Sequence, residues 1–428
     1  MSAHYSVAVV GGGQSGLSVS YCLQRRGIDH VIFEKHKVAH SWRKKRWDTF
    51  CLVTPNWQCA LPGYSYRDYS ETEPDGFMQR DKIVDYIESY ARHFDPPLRE
   101  GVAVQRLRLN SAFELTTSAG EITADQVVVA TGSYHRSRIP TTAERLPKGI
   151  LQIHSSDYRN PESLPEGTVL VVGSGQSGCQ IAEDLHLAGR QVHLSTGSAP
   201  RSPRTYRGKD VVDWLDQMGY YDMPIDEHPE KEKVRNKTNH YLTGRDGGHE
   251  IDLRQFALEG MQLYGRLQDI EADTGQLRFQ PNLTENLDQA DAVAASIKQT
   301  IDKFIAARGI AAPEEPPYKP VWQPDAEPEV LDYRAAKITS VIWCIGYGMD
   351  FSWIEIPAFD GRGYPGHRRG VSTCHGLYFL GLPWLYTWGS GRFSGVARDA
   401  QYVADTIAAR KVGVSPLLQM VNEAALGS

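Results

Sequence analysis

Two stretches of the chain repeat one pattern of apolar and small residues. In the first, the apolar run Val7–Val10 leads into a glycine turn, Gly11, Gly13 and Gly16 with Gln14 and Ser15 between them. A helical stretch through Leu23 follows, then a second apolar run at His30–Phe33. In the other, Val169–Val172 leads into Gly173, Gly175, Gln176, Ser177 and Gly178, then a helical stretch to Leu185 and a run at Gln191–Leu194. Short continuous apolar runs beside glycine turns predict buried parallel strands. Gly11 and Gly173 stand 162 residues apart, a domain length rather than a solenoid period.

Each copy has a matching closing strand that ends on glycine: Gln126–Gly132, with Ala130 and Thr131, and Ser340–Gly346. The first copy runs 121 residues from turn to closing glycine and the second 173, a surplus of 52 placed between residues 201 and 337. Val293, Ile297, Ile301 and Ile305 recur every four residues there and predict a helix over 286–307. Pro313 to Pro328 reads as a proline-rich connection. The surplus is either a lid over a substrate or a surface elaboration. The predicted fold is α/β, with two Rossmann-like dinucleotide-binding domains, the second inserted into the first. Residues 1–165 and 341–428 form one domain and 166–340 the other.

Strand, glycine turn and helix together make a pyrophosphate site: the glycines permit the tight turn and close backbone approach, and the helix presents its positive end. The residue closing the second strand then selects the nucleotide. Glu34, 21 residues after Gly13, can accept from both ribose hydroxyls, which suits FAD or NAD. The matching position in the second copy is Thr196, with no carboxylate to repel a 2′-phosphate and with Arg201, Arg204, Arg207 and Lys209 beyond. Forked, permanently charged donors suit a phosphate, so this copy is expected to take NADPH.

Composition narrows the field. The chain has 428 residues, 41% apolar and 23% charged, with net charge −6. That is ordinary globular composition, without the basic excess of a nucleic-acid binder. No apolar run approaches the roughly 20 residues of a membrane span. The N-terminus lacks a basic, cleavable leader pattern, so the expectation is a cytoplasmic protein without membrane association. Cys22, Cys51, Cys59, Cys179, Cys344 and Cys374 include no CxxC pair, which excludes a thioredoxin-type dithiol relay and a Cys-paired zinc site. His36 and His40 lack further ligands, so no metal site is expected. Neither GQSG turn is a GxSxG elbow, leaving serine hydrolysis without support. Trp57, Trp214, Trp384 and Trp388 are candidate walls of a substrate pocket.

The paired turns resemble the two-dinucleotide-binding-domain flavoproteins over essentially the whole chain. Within them, His154 and Tyr158 before the second turn, Ala130–Gly132 with Pro140, and Cys344–Tyr347 are similar to motifs of the class B flavin-dependent monooxygenases. Runs 46–57, 206–214 and 376–384 resemble the nitrilase-cluster-associated flavin-dependent oxidoreductases. The resemblance implies that Lys35, Trp42 and Arg43, after the ribose-binding acid, accompany the FAD ribose and pyrophosphate. It implies that Thr54 and the candidate catalytic residue Asn56 pass the isoalloxazine, that Pro383 and Trp384 reach the flavin edge, and that Gly346 flanks the second nucleotide.

A helix predicted over 395–409 would turn its positive end to the flavin, with Asp399 in its first turns. The implied cycle is NADPH reduction of FAD, then O2 capture as a C4a-hydroperoxide. Oxygen then transfers to a small-molecule nitrogen, sulfur or carbonyl. The alternatives are an NADPH oxidoreductase without oxygen insertion and a non-catalytic FAD-bound partner protein in a biosynthetic complex. Homo-oligomerisation stays open.

Overall fold

A computed structural model of the chain describes residues 3–410. The first copy builds β1 (Ala3–Val10), α1 (Gln14–Gln24), β2 (His30–Glu34), α2 (Arg80–Phe94), β3 (Leu98–Glu100) and β4 (Gly120–Val129). The second builds β5 (Leu151–His154), β6 (Thr168–Val172), α3 (Gln176–Leu187), β7 (Val192–Ser195), β8 (Gln262–Tyr264), α4 (Leu283–Arg308) and β9 (Ile338–Trp343). The described chain closes with β10 (Leu377–Phe379) and α5 (Val396–Ala409).

The strands form two parallel runs of the same design. One reads β10-β4-β1-β2-β3, the other β5-β9-β6-β7-β8. In each, the strand before the glycine turn lies between its own closing strand and the strand that follows the helix. Val7, Val9, Val169 and Val171 are fully buried, as strands covered on both faces require. Two apolar clusters pack on either side of each sheet.

The domain boundaries differ from the expected 165/166 and 340/341. Leu151–His154 pairs with Ser340–Trp343 and therefore belongs to the second sheet. The boundary at 341 would cut β9 in two. The chain instead crosses between sheets over 130–150 and again after 343. The crossings touch where Arg136–Ser137 pairs antiparallel with Tyr347–Gly348. The expected C-terminal piece reaches 428, and its residues 411–428 lie outside the described ones.

The surplus of the second copy is only partly an insertion, because Gln262–Tyr264 is the outer strand of the second sheet. The predicted helix is α4, which packs Ile301 and Ile305 against Tyr206, Val211 and Trp214. No helix among the described residues is long and apolar enough to cross a membrane.

Candidate active site

The two glycine turns have nearly the same geometry. Gly11 and Gly173 adopt φ of 107° and 104°, open only to glycine. A Cβ on Gly11 would lie 2.6 Å from the Ala130 carbonyl, and one on Gly173 would lie 2.7 Å from that of Cys344. Each turn thus presses against the end of its closing strand. A Cβ on Gly16 or Gly178 would stand 1.8 Å from the carbonyl of Gly11 or Gly173, so the helix can start this close only without a side chain. Gly13 has nothing within 4 Å of its missing Cβ, and Gly175 meets only Thr238 at 3.7 Å. Both helix starts are therefore open cradles. The closing glycines match as well, Gly132 at φ 77° and Gly346 at φ 82°.

The strand ends part the copies. Glu34 accepts from Gly12 N–H at 2.7 Å and from His36 N–H at 2.9 Å, which fixes its carboxylate beside the first turn. A cleft of about 360 Å³ opens there, lined by His36, Lys37, His40, Glu100 and Gly101, with the two imidazoles stacked at 3.9 Å. The loop carrying His36 and His40 thus forms one wall of a cleft. In the second copy Ser174 replaces the middle glycine, and its hydroxyl accepts from Gly197 N–H at 2.9 Å.

Three expected cofactor contacts in this copy are corrected. Thr196 is buried and donates to the Tyr264 carbonyl at 2.8 Å while accepting from Asn286. Arg201 is 2% exposed and paired with Glu250 at 3.1 Å, Asp252 at 3.3 Å and Asp291 at 2.9 Å. Arg204 bonds Asp210 and the Val53 carbonyl and lies over Phe77. A guanidinium already matched by carboxylates has little to offer a phosphate. Arg266, just past β8, is exposed beside the end of β7.

Around the first turn, Gln14 donates to the Gly391 carbonyl at 3.1 Å and accepts from Trp42 Nε1–H at 3.2 Å. It brings Trp42 and the C-terminal loop to the turn. Ser15 lies against Gly381, where a Cβ would meet its hydroxyl at 2.4 Å. Gln176 and Ser177 are half-buried and open the corresponding helix. Lys35 and Arg43 are exposed, and Arg43 pairs with Glu88.

Thr54 is buried next to Val53, whose carbonyl Arg204 holds. Asn56, expected to be catalytic, bonds the Glu73 carbonyl through its side-chain amide at 2.9 Å, and its N–H bonds Gly76. It clamps the 73–76 turn, and only its Oδ1 has no partner. Trp384 adopts φ 50° and packs with Ile225, Val234 and Trp388, and Pro383 beside it is half-buried. Trp57 and Trp388 are partly open, whereas Trp214 is wholly buried in the core with α4, so it walls no pocket.

Several buried polar atoms here lack a partner. They include Thr131 Oγ1 at the first closing strand and both carboxylate oxygens of Asp399 in the first turn of α5. Burial pushes Asp399 up to about 6. Such orphans cost free energy unless a bound group meets them. Together with the open glycine cradles they fit a nucleotide cofactor with polar edges. All six cysteines are free and buried, and burial raises every thiol, with Cys22, Cys51 and Cys374 at about 11. His154 and Tyr158 stitch the units together: His154 donates to the Gly346 carbonyl at 3.1 Å. Tyr158 donates to Asp184, which also takes Thr49 and Arg245.

Two such turns on two parallel sheets define a two-dinucleotide-binding-domain flavoprotein fold. Residues 8–257 match the pyridine nucleotide-disulphide oxidoreductase family, and the chain belongs to that family of oxidoreductases. An uncharacterized CzcO-like oxidoreductase from Geobacillus kaustophilus is 33% identical over 405 residues, spanning 94% of this chain and 97% of that protein. The indole-3-pyruvate monooxygenase YUCCA1 of Oryza sativa subsp. japonica is 31% identical over 182 residues, 41% of this chain and 44% of that protein. A flavin monooxygenase variant from Stenotrophomonas maltophilia shares the fold, with TM-score 0.64 and 18% identity over 95% of this chain and 99% of that one.

Proposed function

We propose that the chain is an FAD-dependent, NADPH-consuming monooxygenase acting on a small molecule. The observation that carries this is the same open turn built twice with different strand ends, the carboxylate of Glu34 in one and none in the other. The likeness to YUCCA1 supports oxygen insertion. The family's name includes disulphide chemistry, but six buried, proton-holding thiols supply no dithiol relay.

When bound, FAD would supply hydride acceptance and dioxygen activation, and NADPH would supply the hydride. The chain's own groups position and shield. The starts of α1 and α3 would direct backbone N–H groups at pyrophosphates, and Glu34 would accept from ribose hydroxyls. The start of α5 would lend its positive end to a bound flavin, and Asp399 there would hold a proton or accept a hydrogen bond from an N–H donor. The NADPH preference rests on the missing carboxylate at the end of β7 and on Arg266. The segment 220–240 lies over the C-terminal loop through Ile225, Val234 and the bond from Arg235 to the Trp384 carbonyl. It serves as the lid that excludes water.

Anaerobic reduction of the purified holoprotein by NADPH and NADH, followed by oxygen and a peroxide assay, tests the proposal. Reduction should be at least tenfold more efficient with NADPH, with peroxide released slowly while NADP+ stays bound. Fast reduction with stoichiometric, immediate peroxide favours the oxidoreductase without oxygen insertion. No reduction leaves the binding role.

A further inference from the structure

Arg392 is the arginine at the heart of the C-terminal loop, and its surroundings differ from those of the buried arginines. Arg201, Arg204 and Arg254 are each met by carboxylates. Among the described residues, none pairs with Arg392. Its guanidinium lies 4.1 Å from the Trp388 ring centroid and donates to the Asn239 side-chain oxygen at 2.9 Å and to the Trp388 carbonyl. Tyr134, Tyr220 and Tyr221 lie within electrostatic range of it from other elements. Tyr221 in turn lies 4.9 Å from Trp388. A cation stacked on Trp388, with three of its five N–H donors left after these two bonds, lacks an anionic partner.

Its place in the fold says where that partner would sit. Gly391, the preceding residue, accepts from Gln14 at the first turn. Asn239 follows Thr238, the neighbour of Gly175 at the second turn. Tyr134 comes two residues after Gly132, which closes the first copy. Arg392 therefore stands between the mouths of the two nucleotide turns, and part of it remains open to solvent.

We propose that Arg392 anchors the carboxylate of a flat, apolar substrate whose body lies against Trp388 and the tyrosines Tyr134, Tyr220 and Tyr221. The aromatic walls select a planar body, and the unmatched guanidinium selects one negative charge. This rests on the small-molecule monooxygenase reading above. It names the substrate class for that site.

The test uses the FAD- and NADP+-loaded protein and two probes of the same shape, 3-phenylpropanoate and 3-phenylpropanamide, followed by flavin absorbance and by calorimetry. The acid should bind at least tenfold more tightly than the amide, since a hydrogen bond to a charged group typically contributes that much. Arg392→Gln should erase the difference, and Arg392→Lys should keep part of it. Neither should change the NADPH concentration that half-saturates flavin reduction. Equal binding of acid and amide to the parent protein, or binding of neither, would overturn the proposal without any variant. An Arg392→Gln protein that keeps the acid preference but needs far more NADPH would overturn it too, making Arg392 a cofactor contact. Reduction by NADPH is read in the same samples. Its failure would strike the monooxygenase reading, whereas a lost acid preference with intact reduction strikes only the substrate class.

Discussion

Gly16→Ala and Gly178→Ala place the same clash in the two copies and should separate their functions. In each, the new Cβ would stand 1.8 Å from a backbone carbonyl, while Cβ atoms essentially never approach closer than 3.0 Å. The helix start must therefore retreat by at least 1.2 Å, because the opposing atom is backbone and cannot rotate away. Overpacking of this kind costs about 1–3 kcal/mol. The same retreat draws the N–H groups of the turn away from a bound pyrophosphate, so nucleotide affinity should fall roughly 5- to 100-fold.

Both variants should lose similar thermal stability, because the clashes match. Their activities should diverge. Gly16→Ala should emerge from gel filtration depleted of FAD and regain flavin only at high added FAD. Gly178→Ala should keep its flavin and need far more NADPH for the same anaerobic reduction rate. If Gly178→Ala lost the flavin while Gly16→Ala kept it, the assignment of the copies would be reversed. If both bound and reduced normally, the turns would not be the nucleotide sites.

Other outcomes follow from single contacts. Arg201→Met leaves Glu250 without its ion-pair partner, while Asp291 keeps Arg254 and Asp252 keeps Tyr318, and should cost about 3–5 kcal/mol in chemical denaturation. It should leave the NADPH-to-NADH ratio alone, whereas Arg266→Ala should lower that ratio. Asp399 holds its proton up to about pH 6 in the folded chain against an ordinary value of 3.8. The folded state thus binds the extra proton in this window, and the flavin-free protein loses stability as pH rises from 4 to 6. Asp399→Asn should remove that slope and add roughly 2–3 kcal/mol at pH 7.5, read by denaturation across pH. A thiol reagent at pH 8 should label the native protein slowly and all six cysteines after unfolding; rapid labelling of a pair would reopen dithiol chemistry.

The glycine turns, their strands and Glu34 were legible in the sequence because local sterics dictate them. A Cβ is forbidden at Gly16 and Gly178 by an atom five residues back, and Glu34 reaches a backbone N–H across adjacent strands. Arg201 and Arg204 were misread because a run of charge does not show what matches it. The carboxylates facing Arg201 come from positions 250, 252 and 291, brought in by the folding of the second unit. The domain boundary was displaced for a similar reason, since Leu151 finds its partner strand at Ser340. Thr196 held the right strand end, but its hydroxyl faces Tyr264 rather than a ligand. Arg392 and Asp399 lie in or after a loop with glycines at 389, 391 and 395, a small-residue stretch before a helix. That pattern marks close backbone approach, but only the fold shows that no described carboxylate meets Arg392 and that the Asp399 oxygens have no hydrogen-bond partner.

The central claim, oxygen insertion by a reduced flavin, meets its most direct test in double-mixing stopped flow. The holoprotein is reduced by NADPH without oxygen, then mixed with oxygen while the flavin spectrum is followed. The account predicts a C4a oxygen adduct that forms before oxidised flavin returns. Its lifetime should lengthen when NADP+ remains bound and shorten when the Ile225–Val234 lid is loosened. A direct return from reduced to oxidised flavin, with no adduct under any of these conditions, would contradict it.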